Sequence, residues 1–190
     1  MTHRAAGSIS LFLLQKGVID SEDTDIYQYG FEILMDSVLE TLFLLIFGIV
    51  FGKLIETVVF VLSFAMLRRY TGGYHTSTKT RCVFMTVGVY AVNLVIACNS
   101  WIAKQQSILM LSVISTFIIW RLAPVSHTNK KLDMQQIMRN RKISRCISLL
   151  YLAVIFALKE SLTEIGDIVG VTLFQTAILI LMQRRCISGE

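Results

Sequence analysis

Residues 68 to 82 read R-R-Y-T-G-G-Y-H-T-S-T-K-T-R-C and gather a glycine pair, a histidine and a cysteine into one polar segment between two apolar stretches. A cysteine attacks a carbonyl as the thiolate, which a neighbouring imidazolium or other cation makes available near neutral pH by lowering the thiol pKa from about 8.5 to about 3.5–7.5. His75, Lys79 and Arg81 supply such surroundings for Cys82. On a continuous helix the spacing from His75 to Cys82 would put both side chains on one face but about 10.5 Å apart along the axis, too far for a hydrogen bond. His75 must then sit on a loop or a separate turn that folds back, which Gly72 and Gly73 permit. The plainer reading makes His75 and Cys82 interfacial residues at a helix entrance, with the glycines forming an ordinary turn. Spacing alone leaves both open.

Other groups carry weaker signals. Glu32, Asp36 and Glu40 fall at i, i+4 and i+8, so three carboxylates share one helix face. Carboxylates within an apolar span are expensive and usually face the protein interior, where one could orient His75 or pair with Arg68 or Arg69. A structural ion pair or a headgroup-level acid explains each of them as well. The run Lys130 to Arg145 holds six basic residues against the single acid Asp133. Lys130 and Lys131 could meet an acidic partner, although orientation by anionic lipid accounts for such a run too. His3 and His127 have no partners at metal-ligand spacing, and the four cysteines (Cys82, Cys98, Cys146, Cys186) show no CxxC pattern, so neither a metal site nor a cofactor is expected.

The elements that hold these groups follow from composition. Of 190 residues, 54% are apolar and only 16% charged, against about 45–50% and about 25% in a soluble domain. A soluble globule of this length could not hide so much apolar side chain. Disorder fails on the same count, and a nucleic-acid partner is disfavoured despite the net charge of +5, because the basic residues lie between apolar stretches and form no single stripe. The expectation is an all-α integral membrane protein with a lipid bilayer as its surroundings.

Six spans are expected, at residues 33–51, 54–67, 82–103, 108–123, 146–158 and 168–182. The second and fifth are short and either borrow flanking residues or are re-entrant. Residues 1–28 read as an amphipathic interfacial segment that opens with a helix over Met1 to Gln15 and is closed by the polar run Asp20 to Asp25; the N-terminus lacks a cleavable-signal pattern. The whole of 1–190 is read as one membrane-embedded domain. With the N-terminus inside, 15 of the 18 basic residues fall on the cytoplasmic side and only Lys53, Lys104 and Lys159 outside, as the positive-inside rule demands. Both termini are then cytoplasmic, and Cys82 lies at a reducing face. Asn93 and Gln175 are polar exceptions in otherwise apolar spans.

The 68–82 segment resembles the accessory gene regulator protein B (AgrB) family, membrane cysteine endopeptidases that process the precursors of bacterial quorum-sensing peptides. The likeness rests on RR-x-x-x-G-x-H-x6-C, here Arg68, Arg69, Gly73, His75 and Cys82. It continues in Tyr29-Gly30-Phe31-Glu32 and in Ala123-Pro124 followed by Asn129-Lys130-Lys131-Leu132. The resemblance implies a thiol endopeptidase in the bacterial cell membrane with Cys82 as nucleophile and His75 as base. Its partner would be an autoinducer precursor peptide, and the acyl-enzyme would be captured by a cysteine or serine of that peptide to give a thiolactone or lactone. A homodimer is compatible with the sequence. The competing expectation is a non-enzymatic exporter or membrane scaffold in which the loop only binds; it is less favoured because the third, fourth and sixth spans show few of the interruptions or midplane polar groups of a transporter.

Overall fold

A computed structural model describes residues 2–73, 79–97, 99, 105–125, 133–158 and 163–188. Among them every long element is an α-helix: α1 (Thr2–Gln15), α2 (Thr24–Val50), α3 (Leu54–Thr71), α4 (Lys79–Ala97), α5 (Gln105–Leu122), α6 (Met134–Ala157) and α7 (Thr163–Ser188). They form two compact units, Met1–Gly52 and Lys53–Glu190.

The first unit is a hairpin of α1 and α2, with a 3-10 turn at Ser21–Asp23 between them. Small residues on α1 let α2 come close: Ala6 and Ser10 are fully buried, and the Gln28 side chain lies against Gly7. The expected N-terminal helix is present. α2, however, begins at Thr24, well before the apolar stretch that opens at Ile33. Tyr27, Gln28 and Tyr29 carry no helix breaker, and the single Gly30 costs a helix only about 1 kcal/mol, too little to stop it at the edge of its apolar part.

In the second unit α7 is central and packs on α3, α4, α5 and α6. Leu67, Ile119, Ile147, Tyr151, Ile155, Leu173, Ala177 and Ile180 make the core where α3, α5, α6 and α7 meet. Gly170 is where α5 and α7 approach most tightly: a Cβ there would lie 2.6 Å from Ile108 Cγ2 and 2.8 Å from Ser112 Oγ. Tyr151 Oη on α6 donates to the carbonyl of Ser63 on α3 at 3.1 Å. Lys53 Nζ reaches Glu56 Oε1 at 2.8 Å and Glu164 Oε2 at 3.3 Å, joining the start of α3 to the start of α7.

Two features fit a lipid environment. Large apolar side chains stand on the outer surfaces, among them Phe84 (74% exposed), Met110 (68%) and Val50 (73%), far beyond what a soluble monomer leaves uncovered. Hydroxyls within the helices bond their own backbone, as Ser112 Oγ does to Ile108 O at 2.7 Å, Ser115 Oγ to Leu111 O at 2.6 Å and Thr176 Oγ1 to Thr172 O at 2.8 Å. Such groups find no water in a bilayer and must be satisfied internally. Ser21–Val50 and Thr163–Arg185 are long and apolar enough to cross a membrane, and Cys82–Ile96 and Gln106–Leu122 are shorter apolar helices.

α3 runs on through Arg68 to Thr71, the flanking residues that the short second span was expected to borrow. α6 starts at Met134, well before the expected boundary, so its basic residues from Arg139 to Arg145 are helical and precede the apolar part at Cys146. Lysine, arginine and glutamine are good helix formers, so an apolar count marks where a helix is greasy and not where it starts.

Candidate functional site

The segment that carries the chemical signal is bracketed by the end of α3 and the start of α4. Arg68 and Arg69 occupy the last turn of α3. The Arg68 guanidinium lies over the Phe64 ring, 5.4 Å from its centroid, and Arg69 lies 5.9 Å from the centroid of Tyr70. Each cation is thus supported by an aromatic face on its own helix.

α3 stops at Gly72, whose φ of 69° and ψ of −151° suit a residue without Cβ. The turn is pinned from a distant part of the chain. Gly72 pairs with Val125 in a parallel bridge, and Val125 N–H donates to Thr71 O at 2.9 Å. The strand-like stub of Val125 follows Ala123 and cis Pro124, just beyond α5. Gly73 is buried next to α7: a Cβ at this position would lie 3.5 Å from Leu179 Cβ and 3.9 Å from Arg68 Nη1. The loop therefore leaves from a fixed platform made by α3, α5 and α7.

Cys82 is the fourth residue of α4, half-buried and in no disulfide. Its carbonyl accepts a bond from Thr86 Oγ1 at 3.2 Å. Cys146, on α6, is an exposed thiol. His75 lies outside the described residues, as do Lys130 and Lys131. The structure thus brings Arg68, Gly72, Gly73, Leu179 and Val125 together at one end of the second unit.

Glu32, Asp36 and Glu40 all lie on α2, in the first unit. Glu32 Oε2 is 3.5 Å from His3 Nδ1, which is also 3.1 Å from Gln28 Nε2. His3 had no assigned role in the sequence, and the contact links α1 to α2. Among the described residues no group of three or more His, Cys, Asp or Glu side chains converges to hold a metal ion.

Sequence reasoning missed Val125 and Leu179 as parts of this platform. It also missed Arg145 as the brace of the neighbouring helix end: its Nη2 and Nε donate to Trp120 O at 3.1 and 3.3 Å, and its guanidinium lies 4.8 Å from the Trp120 ring centroid. The residue types gave a signal, since an arginine beside a helix C-terminus commonly binds the last carbonyls. Their pairing across the chain did not.

Among the described residues the chain is helical, with two helices long and apolar enough to cross a membrane and a thiol in the first turn of α4. It is a member of the Accessory gene regulator B (AgrB) family, which it matches over residues 6–182. It is similar to AgrB-like protein 2 of Clostridium perfringens, with 28% identity over 123 residues that cover 62% of this chain and 58% of the relative. An AgrB-like protein of Halalkalibacterium halodurans is 26% identical over 156 residues, covering 81% of this chain and 75% of that protein. The matched stretch thus spans less than two thirds of the length of the Clostridium perfringens relative. No solved structure matches the chain.

Proposed function

We propose that this protein is a membrane thiol endopeptidase that cleaves a quorum-sensing propeptide at the cytoplasmic face. The observation that carries the reading is the placement of Cys82: half-buried at the start of α4, nine residues after Gly73 in a glycine turn that is anchored on α3, α5 and α7, in a chain of the AgrB family. A nucleophile needs a fixed position, and a loop tied down at its origin is one way to bring a base to it.

In this reading His75 takes the Cys82 proton, and the sulfur attacks the scissile carbonyl of the precursor. The tetrahedral adduct collapses to a thioester between Cys82 and the N-terminal part of the peptide. The C–N bond breaks, and the departing amine of the C-terminal fragment takes the proton from His75. A cysteine or serine of the bound peptide then attacks the thioester carbonyl, closing a thiolactone or lactone and returning the thiol to Cys82. Arg68, Arg69 and Gly73 hold the loop, and Lys130 and Lys131 contact the precursor. No cofactor enters any step.

The chain crosses the bilayer six times with both termini in the cytoplasm, a topology supported by the 15 to 3 division of its basic residues. The test is to purify the protein into lipid vesicles and follow release of the precursor's C-terminal fragment. Cys82→Ala protein is expected to release none. Release at the parent rate would transfer the assignment to the exporter or scaffold.

A further inference from the structure

α4, the helix that carries Cys82, is bound to α7 by a buried amide pair. Asn93, fully buried on α4, donates through Nδ2 toward Gln175 Oε1 at 3.1 Å, Thr172 Oγ1 at 3.0 Å and Ile168 O at 3.3 Å. Gln175, itself buried on α7, returns the bond by donating from Nε2 to Val89 O on α4 at 2.8 Å. Each helix therefore reaches the other's backbone, and the two amides also meet directly. Thr172 Oγ1 donates to Ile168 O at 2.7 Å, which leaves it ready to accept from Asn93.

The bonds fix more than proximity. Asn93 engages Ile168 and Thr172 while Val89 meets Gln175, so the antiparallel helices can satisfy both amides at only one axial offset. At about 100° per residue, Cys82, Thr86, Val89 and Asn93 fall on one stripe of α4, roughly 60° wide. The thiol thus lies on the face that the amide pair turns toward α7, two turns from Val89.

Stability alone explains the pair poorly. Asn93 Oδ1 is buried with no hydrogen-bond partner among the described residues, a cost that an apolar side chain would not carry. Between helices in lipid, apolar side chains give little preference for one register over another, and a buried polar group is the best-attested way to set it.

We propose that Asn93 and Gln175 are positioning residues for Cys82: by fixing the register of α4 against α7 they set the depth and facing of the thiol. The proposal rests on the endopeptidase reading for its kinetic readout.

Asn93→Leu and Gln175→Met keep the approximate shape of each side chain and remove the bonds. Each is made in the full chain in lipid vesicles, with Cys98, Cys146 and Cys186 replaced by alanine and Cys82→Ala as control. Three quantities are read: kcat and KM for release of the precursor's C-terminal fragment, the iodoacetamide alkylation rate of Cys82, and the thermal midpoint of the folded protein. Both variants are expected to stay folded and to lose about 10- to 100-fold in kcat with KM within about twofold, as a small misplacement of a reacting group produces. The alkylation rate is expected to change several-fold in both.

Parent-like kcat in either folded variant overturns the proposal, since the bonds are reciprocal. Loss of cleavage only in protein that has also lost its thermal transition overturns it as well, and assigns the amides to assembly. A Cys82→Ala control that cleaves at the parent rate is a separate result: it removes the endopeptidase reading, while the alkylation rates still decide whether the pair positions the thiol.

Discussion

Gly72 and Val125 are paired in a parallel bridge, with Val125 N–H bonded to the carbonyl of Thr71 at 2.9 Å, so the end of α3 and the segment after α5 are one structural unit. The pairing puts two of the three stretches that carry the family resemblance side by side. The loop toward His75 leaves one of them, and the basic segment of Lys130 and Lys131 leaves the other. What looked like two separate motifs in the chain shares an anchor.

Gly72→Ala should be the most disruptive glycine substitution in this region. Its φ of 69° with ψ of −151° is poorly accessible to other residues, and a Cβ would run into the Val125 carbonyl. The expected loss is about 1–3 kcal/mol of stability, seen as a lower thermal midpoint in detergent, with cleavage falling in parallel. Gly88→Ala is the contrast. A Cβ on that α4 residue meets nothing within 4 Å, and removing a helical glycine should be neutral or stabilising by up to about 1 kcal/mol. Equal midpoints for Gly72→Ala and the parent protein would show that the bridge does not hold the turn.

Reporter fusions or thiol labelling are expected to place Tyr74, Gln136 and Ser188 in the cytoplasm, and Gln105 and Thr163 outside. The division of basic residues motivates the assignment. Lys53, one of the three cations assigned outside, joins Glu56 and Glu164 at the starts of α3 and α7, which puts those two helix ends at one level. Accessibility of residues 71 to 80 from outside the cell would remove the proposed site along with the topology.

Much of the fold was legible because helices follow from periodic apolar composition, and the segment with the thiol follows from its residue types. Helix ends were less so. The start of α6 did carry a readable mark: Asp133 precedes it, and its N–H donates to the side chain of Gln136 at 3.4 Å, the spacing of a capping box. Apolar composition alone marks only Cys146, where the apolar part begins. Gly72 with Val125, Asn93 with Gln175 and His3 with Glu32 had no local signature at all. Each joins residues far apart in the chain, and neither periodicity nor spacing encodes which distant helix a polar side chain meets.

Replacing Cys98, Cys146 and Cys186 together by alanine should leave precursor cleavage largely intact. None of them has a histidine nearby in sequence, and Cys146 stands exposed on the flank of α6. Complete loss of cleavage in a stably inserted triple variant would mean that a second thiol takes part.

On the proposed mechanism, Cys82→Ala and His75→Ala should each abolish cleavage while leaving insertion and peptide binding nearly unchanged, because both groups would act in the transition state. The double variant should be no worse than either single one. In the proposed mechanism the imidazole generates the thiolate and protonates the leaving amine, and neither matters without the sulfur. Cys82→Ser tests the same logic more sharply. Oxygen keeps the shape, but a hydroxyl gives up its proton several pKa units less readily than a thiol, beyond what an imidazole arranged for sulfur can supply. A probe of the iodoacetamide type should label Cys82 faster than Cys146 in the parent protein and more slowly after His75→Ala. If labelling of Cys82 were the same with and without the imidazole, His75 would not be its base, and the activating group would have to be sought among the cations beside Cys82 in the chain, Lys79 and Arg81.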